Sequence, residues 1–438
     1  VRTSKGSKIA ALGLGLALVA AACSSDSKGG TGTTAAPGTT GAPGTTVAPG
    51  TTTPGTTTAP VAGGTITYAA EQEYTSYNNG AADQGLVANL LVLNMVQPGP
   101  FIQQPDLTLK VFNDIATSVE LTSQDPQVVT YKLNPAAVWS DGAPLDCKDF
   151  YLAWVANNGK AEKKNPDYTK PSQVDKDGNP ITEMLPVFNT ASTTGYENIS
   201  KLECSADNKT VTTTYDTPYV DYQGLFGGML PAHVIEKNTG VADITKATAD
   251  ELVKVGDFWN TKFVGFDPAI DVSGAWYVID SFTPGETLVL KKNPKYWGKP
   301  GNADEIIFRQ VPDATQQPAA LENGDVQVIS PQPNADLLKQ LQAISGVTTE
   351  VNSGTTFEHY DFNMANEFLK DLKVRQAFAL CIDRQQIVDT LVKTLNDKAE
   401  VLNNRIYIPQ QPDYKDNSGD YGKKDIAKSK QLLTDAGF

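Results

Sequence analysis

The fold of this chain is written most legibly in Val138-Trp-Ser-Asp-Gly-Ala-Pro-Leu-Asp-Cys-Lys-Asp-Phe150. An apolar pair runs into Ser140-Asp-Gly142, a tight turn, because Asp bonds its own backbone and Gly accepts a left-handed φ. Asp146 then stands where a helix N-cap is wanted. Phe150 and Trp154 fall on one face of the helix that follows. Upstream, Val128-Val-Thr-Tyr-Lys-Leu133 reads as a strand, the second arm of a hairpin turned at Ser123-Gln-Asp-Pro126. Downstream, Gly159 to Thr194 is polar and rich in Lys, Pro and Asn, which marks a surface excursion. Its Asp175-Lys-Asp-Gly-Asn179 is a solvated turn, since the glycine comes too early for a calcium loop and no acid closes it.

Further out, strands are expected at Gly64 to Ala69, Val211 to Tyr215, Leu288 to Lys292, Ile306 to Val311 and Val326 to Ile329. Helices are expected over Leu86 to Val96, Ala242 to Val255, Leu372 to Leu395 and Ile426 to Ala436, the last followed by Gly437 as a helix-ending residue. The long helix from Leu372 carries an apolar face through Val374, Phe378, Cys381 and Ile382. Strands and helices mix without regular alternation, so the fold class is α/β mixed, with packed helices around mixed sheets.

The chain of 438 residues has a net charge of −14, which argues against nucleic acid as a partner, because phosphate contacts need clustered Lys and Arg. Catalytic patterns are missing. There are two histidines, His233 and His359, far apart, and no nucleophile elbow, phosphate loop or clustered Cys/His metal set. His233 follows Leu230-Pro-Ala at a helix start and reads as a structural cap. No metal or other cofactor is expected. Of the cysteines, Cys147 opens a helix and Cys204 begins a polar turn, so outside the cytoplasm these two are the expected disulfide. Cys381, on its apolar stripe, is expected to be a buried free thiol.

The N-terminus reads as an export signal. Arg2, Lys5 and Lys8 precede Ile9 to Ala22, an uncharged apolar run. At roughly 14 residues it is too short to span a bilayer and suits a signal-peptide core. The run ends in small residues before Cys23, which resembles a bacterial lipobox. Residues 1–22 are therefore expected to be a lipoprotein signal peptide, with Cys23 lipidated. Residues 23–62 are rich in Gly, Thr, Pro and Ala and are expected to be a disordered spacer, able to reach on the order of 100 Å if extended.

Seven segments, met in order, resemble the family 5 extracellular solute-binding proteins, the dipeptide- and oligopeptide-binding components of ABC importers. They are the segment at Val138, Met229-Leu-Pro-Ala-His233, Gly274-Ala-Trp-Tyr-Val278, Leu290-Lys-Lys-Asn-Pro-Lys-Tyr-Trp-Gly298, Ala320-Leu-Glu-Asn-Gly-Asp325, Asp361-Phe-Asn-Met364 with Val374-Arg-Gln-Ala377, and the end from Ala427 to Phe438. The resemblance implies a type II (cluster C) periplasmic-binding-protein-like fold, with two lobes that close on a captured solute by a hinge motion. Lobe 1 would comprise 63–98 and 223–312, with 99–222 an inserted subdomain, and lobe 2 would comprise 313–438. Family members continue well past the final element, so lobe 2 is expected to be incomplete and to expose apolar surface.

The implied protein is not an enzyme but a monomeric, membrane-anchored extracytoplasmic lipoprotein. Its partners would be a peptide or other small-molecule ligand and an ABC permease. An alternative resemblance is to an actinobacterial lipoprotein branch of the same fold, linked to phosphatidylinositol mannoside and lipoarabinomannan assembly. In the family the segment after the first strand and the strand before Val374 approach the cleft. The implied ligand walls are Glu73, Tyr74, Tyr77, Asn78, Trp276, Phe357, His359 and Tyr360.

Overall fold

The computed structural model describes residues 63–176, 180–351, 359–409, 411 and 413–438. The expected signal, the anchor at Cys23, the spacer and Phe357 lie outside the described residues. In chain order, β1 (Thr65–Ala70) leads to α1 (Val87–Val96). A short hairpin follows, β2 (Phe101–Gln103) with β3 (Leu109–Val111), then a longer one, β4 (Ala116–Gln124) with β5 (Gln127–Leu133). Helix α2 (Cys147–Asn157) comes next, and β6 (Glu162–Lys164) pairs with β7 (Met184–Pro186) inside the polar excursion. Strands β8 (Ile199–Cys204) and β9 (Thr210–Tyr215) complete an antiparallel sheet in the order β4-β5-β9-β8.

After α3 (Ala232–Thr239) and α4 (Ala249–Thr261) come β10 (Tyr277–Thr283), β11 (Thr287–Lys292) and β12 (Glu305–Gln310). Helix α5 (Gln317–Glu322) precedes β13 (Val328–Ile329). These strands join β1 in a sheet ordered β10-β11-β12-β1-β13, where β1 lies parallel to both of its neighbours. Through β13, residues up to Ile329 reach this sheet. The remaining elements are helical: α6 (Ala335–Gln342), α7 (Leu372–Cys381), α8 (Arg384–Ile387) and α9 (Ile426–Asp435).

The segment that opens this account works as a clasp. Trp139 is fully buried, and its indole N–H donates to Asp149 Oδ2 at 3.2 Å. The same oxygen accepts the Asp146 N–H at 2.9 Å, one half of a capping box that starts α2. Asp149 Oδ1 accepts the Ala232 N–H at 2.9 Å, the first helical residue of α3. One buried carboxylate thus holds a turn and two helix starts. Burial pushes its pKa up to about 7, against the pull of its N–H donors. Around it, the rings of Tyr131, Phe150 and Phe226 meet with centroids 5.5, 5.5 and 5.1 Å apart. Each such buried side chain contributes roughly 1.5–3 kcal/mol. Cys147, at the head of α2, is disulfide-bonded to Cys204 at the end of β8. The β4-β5-β9-β8 sheet shares one apolar core with the β10-β11-β12-β1-β13 sheet.

Several local expectations change. The helix expected from Ala242 starts at Ala249, because Thr248 and Glu251 form a capping box there while Asp243 caps only a short 3-10 turn. The single helix expected over Leu372 to Leu395 breaks at extended Ile382, and Asp383 caps a new turn by accepting from the Gln386 N–H. The buried face of α7 is Val374, Ala377 and Leu380, so Cys381 is an exposed free thiol and Phe378 is 46% exposed. His233 caps nothing. Asp149 serves the start of α3, and His233 Nε2 instead bonds Asp141 Oδ2 at 2.8 Å, tying the turn to that helix.

Candidate solute-binding site

A cavity of about 810 Å³ opens between α1, the β2–β3 hairpin and α2. Its floor comes from α1, where Leu90, Leu93, Asn94 and Met95 face it, and from Gln97 just beyond. Gln97 is held by donating its Nε2 to the Tyr77 carbonyl at 2.6 Å, and its Oε1 lies toward Gly228, another lining residue. One wall is β2 with Phe112, and another is the α2 face bearing Leu152, Ala153 and Asn157. The loop Gly227 to Leu230 closes a third side. Gly99 matters to that closure. A Cβ there would come within 3.2 Å of the Gly227 Cα, so the two loops would have to give by a few tenths of an ångström. Gly228 lies at φ +65°, in the left-handed region where a side chain is strained.

Aromatic faces and amides dominate the lining. Trp276 is half-buried and packs on Phe112 with ring centroids 5.2 Å apart. Tyr196 accepts the Phe226 N–H at 2.7 Å, and burial pushes its phenol far above the ordinary value, so it stays protonated and keeps a hydrogen to donate. None of the described residues that line this cavity is Asp, Glu, Lys, Arg or His. Among the described residues no cluster of three or more His, Cys, Asp or Glu side chains is placed to hold a metal ion.

The residues singled out from the sequence are not gathered in one place. Asn78 and Trp276 line the cavity. Asn78 also donates to the Trp259 carbonyl at 3.0 Å, so it braces the wall. Tyr77 is fully buried beneath, its hydroxyl donating to the Val272 carbonyl at 2.7 Å. Glu73 and Tyr74 border a separate, water-sized hollow beside Phe282, where Glu73 accepts the Gly285 N–H. Tyr74 is buried and meets Phe282 edge-on, with ring centroids 5.7 Å apart. His359 and Tyr360 border neither space. Tyr360 is 75% exposed, and His359 Nδ1 lies 3.2 Å from Asp361 Oδ1. Asn94, Gln97, Phe101, Phe112, Asn157 and Tyr196 were not singled out. Two asparagines, Asn89 and Asn94, in the apolar run of α1, followed by Gln97, were the available signal.

A mixed sheet with β1 between two parallel neighbours, an antiparallel insertion sharing its core and a helical region beyond define the two-lobed, type II binding-protein class. A family model described as bacterial extracellular solute-binding proteins, family 5 Middle, matches residues 110–438, and the chain belongs to that family. It is 28% identical over 326 residues to the oligopeptide-binding protein OppA of Mycobacterium tuberculosis, covering 74% of this chain and 47% of OppA. It is 24% identical over 270 residues to the probable monoacyl phosphatidylinositol tetramannoside-binding protein LpqW of the same organism, covering 61% of this chain and 35% of LpqW. The chain spans about half the length, or less, of these curated relatives. Among solved structures, the periplasmic EDTA-binding protein EppA superimposes with a TM-score of 0.68 at 30% identity, over 86% of this chain and 65% of EppA. Among the described residues no helix is long and apolar enough to cross a membrane.

Proposed function

We propose that this chain is the solute-capturing part of an ABC importer's receptor, held outside the membrane by a lipid on Cys23 and catalysing no reaction. The carrying observation is the open cavity of about 810 Å³, walled by aromatic and amide side chains and free of charged groups among its described residues. Sites for small molecules commonly measure about 300–1,000 Å³. The likeness to an oligopeptide-binding relative favours peptides or similar small solutes as cargo, delivered to a permease. Solute would lie against the lobe 1 cavity, and the second lobe would close over it.

Native mass spectrometry of the full-length protein against a peptide library tests this reading. Retained peptides are expected, and a library from which nothing binds refutes it. The likeness to a tetramannoside-binding relative favours a second reading, a receptor-fold lipoprotein that serves envelope glycolipid assembly. A deletion strain separates the two. Loss of peptide uptake with normal glycolipids supports the importer, and the reverse supports the envelope role.

A further inference from the structure

Asp271 comes shortly before Ala275 and Trp276, which line the cavity, and it is 6% exposed. Its Oδ2 accepts the Asp267 N–H at 2.8 Å, while its own N–H donates to the Asp267 carbonyl at 2.9 Å, so the two residues close a turn. Its Oδ1 is buried without a hydrogen-bond partner among the described residues, and so is the hydroxyl of Tyr74 nearby. The titratable groups that bear on this carboxyl are Asp267, Tyr74 and Tyr77, none of them a cation. Ionised, it would keep one N–H donor and meet no opposite charge, which burial penalises. Burial, helped by the neighbouring Asp267, pushes its pKa up to about 7 against the pull of that N–H.

Two runs of contacts lead from this turn to the cavity. The carbonyl of Val272, the next residue, accepts the Tyr77 hydroxyl at 2.7 Å, and the Tyr77 carbonyl accepts Gln97 Nε2 at 2.6 Å. The Ser273 hydroxyl and the Gly274 N–H both donate to the Val96 carbonyl, at 2.7 and 3.0 Å, which pins the chain to the end of α1 just before Trp276. Resting on the receptor reading above for its consequence in solute capture, we propose that Asp271 is a positioning residue for this wall: neutral, it keeps Gln97 and Trp276 in place, and ionised, it opens the turn to water and releases them. The closed turn raises the carboxyl's pKa, so its advantage is full at low pH and is lost as pH rises through about 7. With the ordinary value of 3.8 in the open turn, the ratio of open to closed rises about tenfold between pH 6 and pH 8 and levels off above. Solute is then held more tightly at pH 6 than at pH 8.

Amide hydrogen exchange of the full-length protein, without solute, at pH 6 and pH 8 tests this, each rate being divided by the intrinsic rate at that pH. Amides of residues 271–276 are expected to exchange about tenfold faster at pH 8 than at pH 6, over and above any change in β5. Strand β5 is the reference because Tyr131 packs on Phe150 of the helix that carries Asp149, so it reports any opening governed by that other raised acid. Asp271→Asn keeps an acceptor for the Asp267 N–H and cannot ionise, so it is expected to abolish the excess. No excess in the parent protein, or the same excess in Asp271→Asn, overturns the proposal, and the first of these results needs no variant to fold. Both are read without solute and leave the receptor reading standing. That reading falls instead if the peptide library yields nothing bound.

Discussion

Asp149→Asn should loosen the whole first lobe, and by an amount the geometry sets. The carboxyl group, whose two oxygens each keep a lone pair even when it is protonated, accepts three N–H groups: Asp146 and Trp139 on Oδ2, Ala232 on Oδ1. Asparagine offers one oxygen. If that oxygen takes the Oδ2 position, its amide nitrogen faces the Ala232 N–H, donor against donor. In the opposite flip two donors are stranded instead. Either way at least one hydrogen bond is lost and a buried donor is left unpaired, which costs about 2–4 kcal/mol. The size also depends on pH. The folded-state pKa of Asp149 is raised to about 7 from 3.8 by burial, so folding takes up a proton between those values. That contribution to stability is full below the unfolded pKa and is lost as pH rises through about 7. Asparagine does not titrate, so the gap between the two proteins should be wide at pH 5 and narrower at pH 8, by about 2–3 kcal/mol. Urea denaturation followed by tryptophan fluorescence at both pH values measures it. A loss under about 1 kcal/mol at pH 5, with an unchanged denaturant slope, would refute the clasp. A gap that widens towards pH 8 would refute the direction of the shift.

Two further changes probe the frame that holds the cavity. Replacing Cys147 and Cys204 by Ser opens a loop with a sequence separation of 57, which should lower stability by about 4 kcal/mol on the chain-entropy account; equal denaturation midpoints with and without reductant in the parent protein would contradict it. Gly256 lies in α4, where a Cβ would come within 2.6 Å of the Val187 carbonyl oxygen, so Gly256→Ala should lift the helix off that segment and cost about 1–3 kcal/mol. A melting temperature equal to that of the parent protein would show that the helix can yield there.

The elements were legible where local chemistry decides them. Alternation at Val128 to Leu133 and the Asp146 cap are short-range signals, and the structure places a strand and a capped helix there. Boundaries were misjudged where two signals competed. Both Asp243 and Thr248 can start a helix, and only Thr248 has a Glu three residues on to complete the box. The apolar run after Leu372 hides Asp383, whose side chain restarts the chain after Ile382 leaves helical angles. The burial of Cys381 was misread because a stripe of apolar residues says which face is eligible for a core and not which face finds one. Val374, Ala377 and Leu380 found it.

The sequence by itself determined the class of the protein. Seven short segments carry turns, caps and bulky anchors whose order only one kind of chain follows, and each works through neighbours a few residues away. Even the uncharged character of the α1 run was visible there. Only the tertiary structure decided which residues meet. Asp149 reads as one helix residue among many until Ala232, eighty-three positions on, donates to it. Tyr77 and Trp276 look alike as aromatic candidates, yet one is fully buried against Phe263 and the other stands in the cavity wall. The pairing of β2 with β3 is invisible in Phe-Ile-Gln, because hydrogen-bonding direction belongs to the register of a pair of strands and to no single residue.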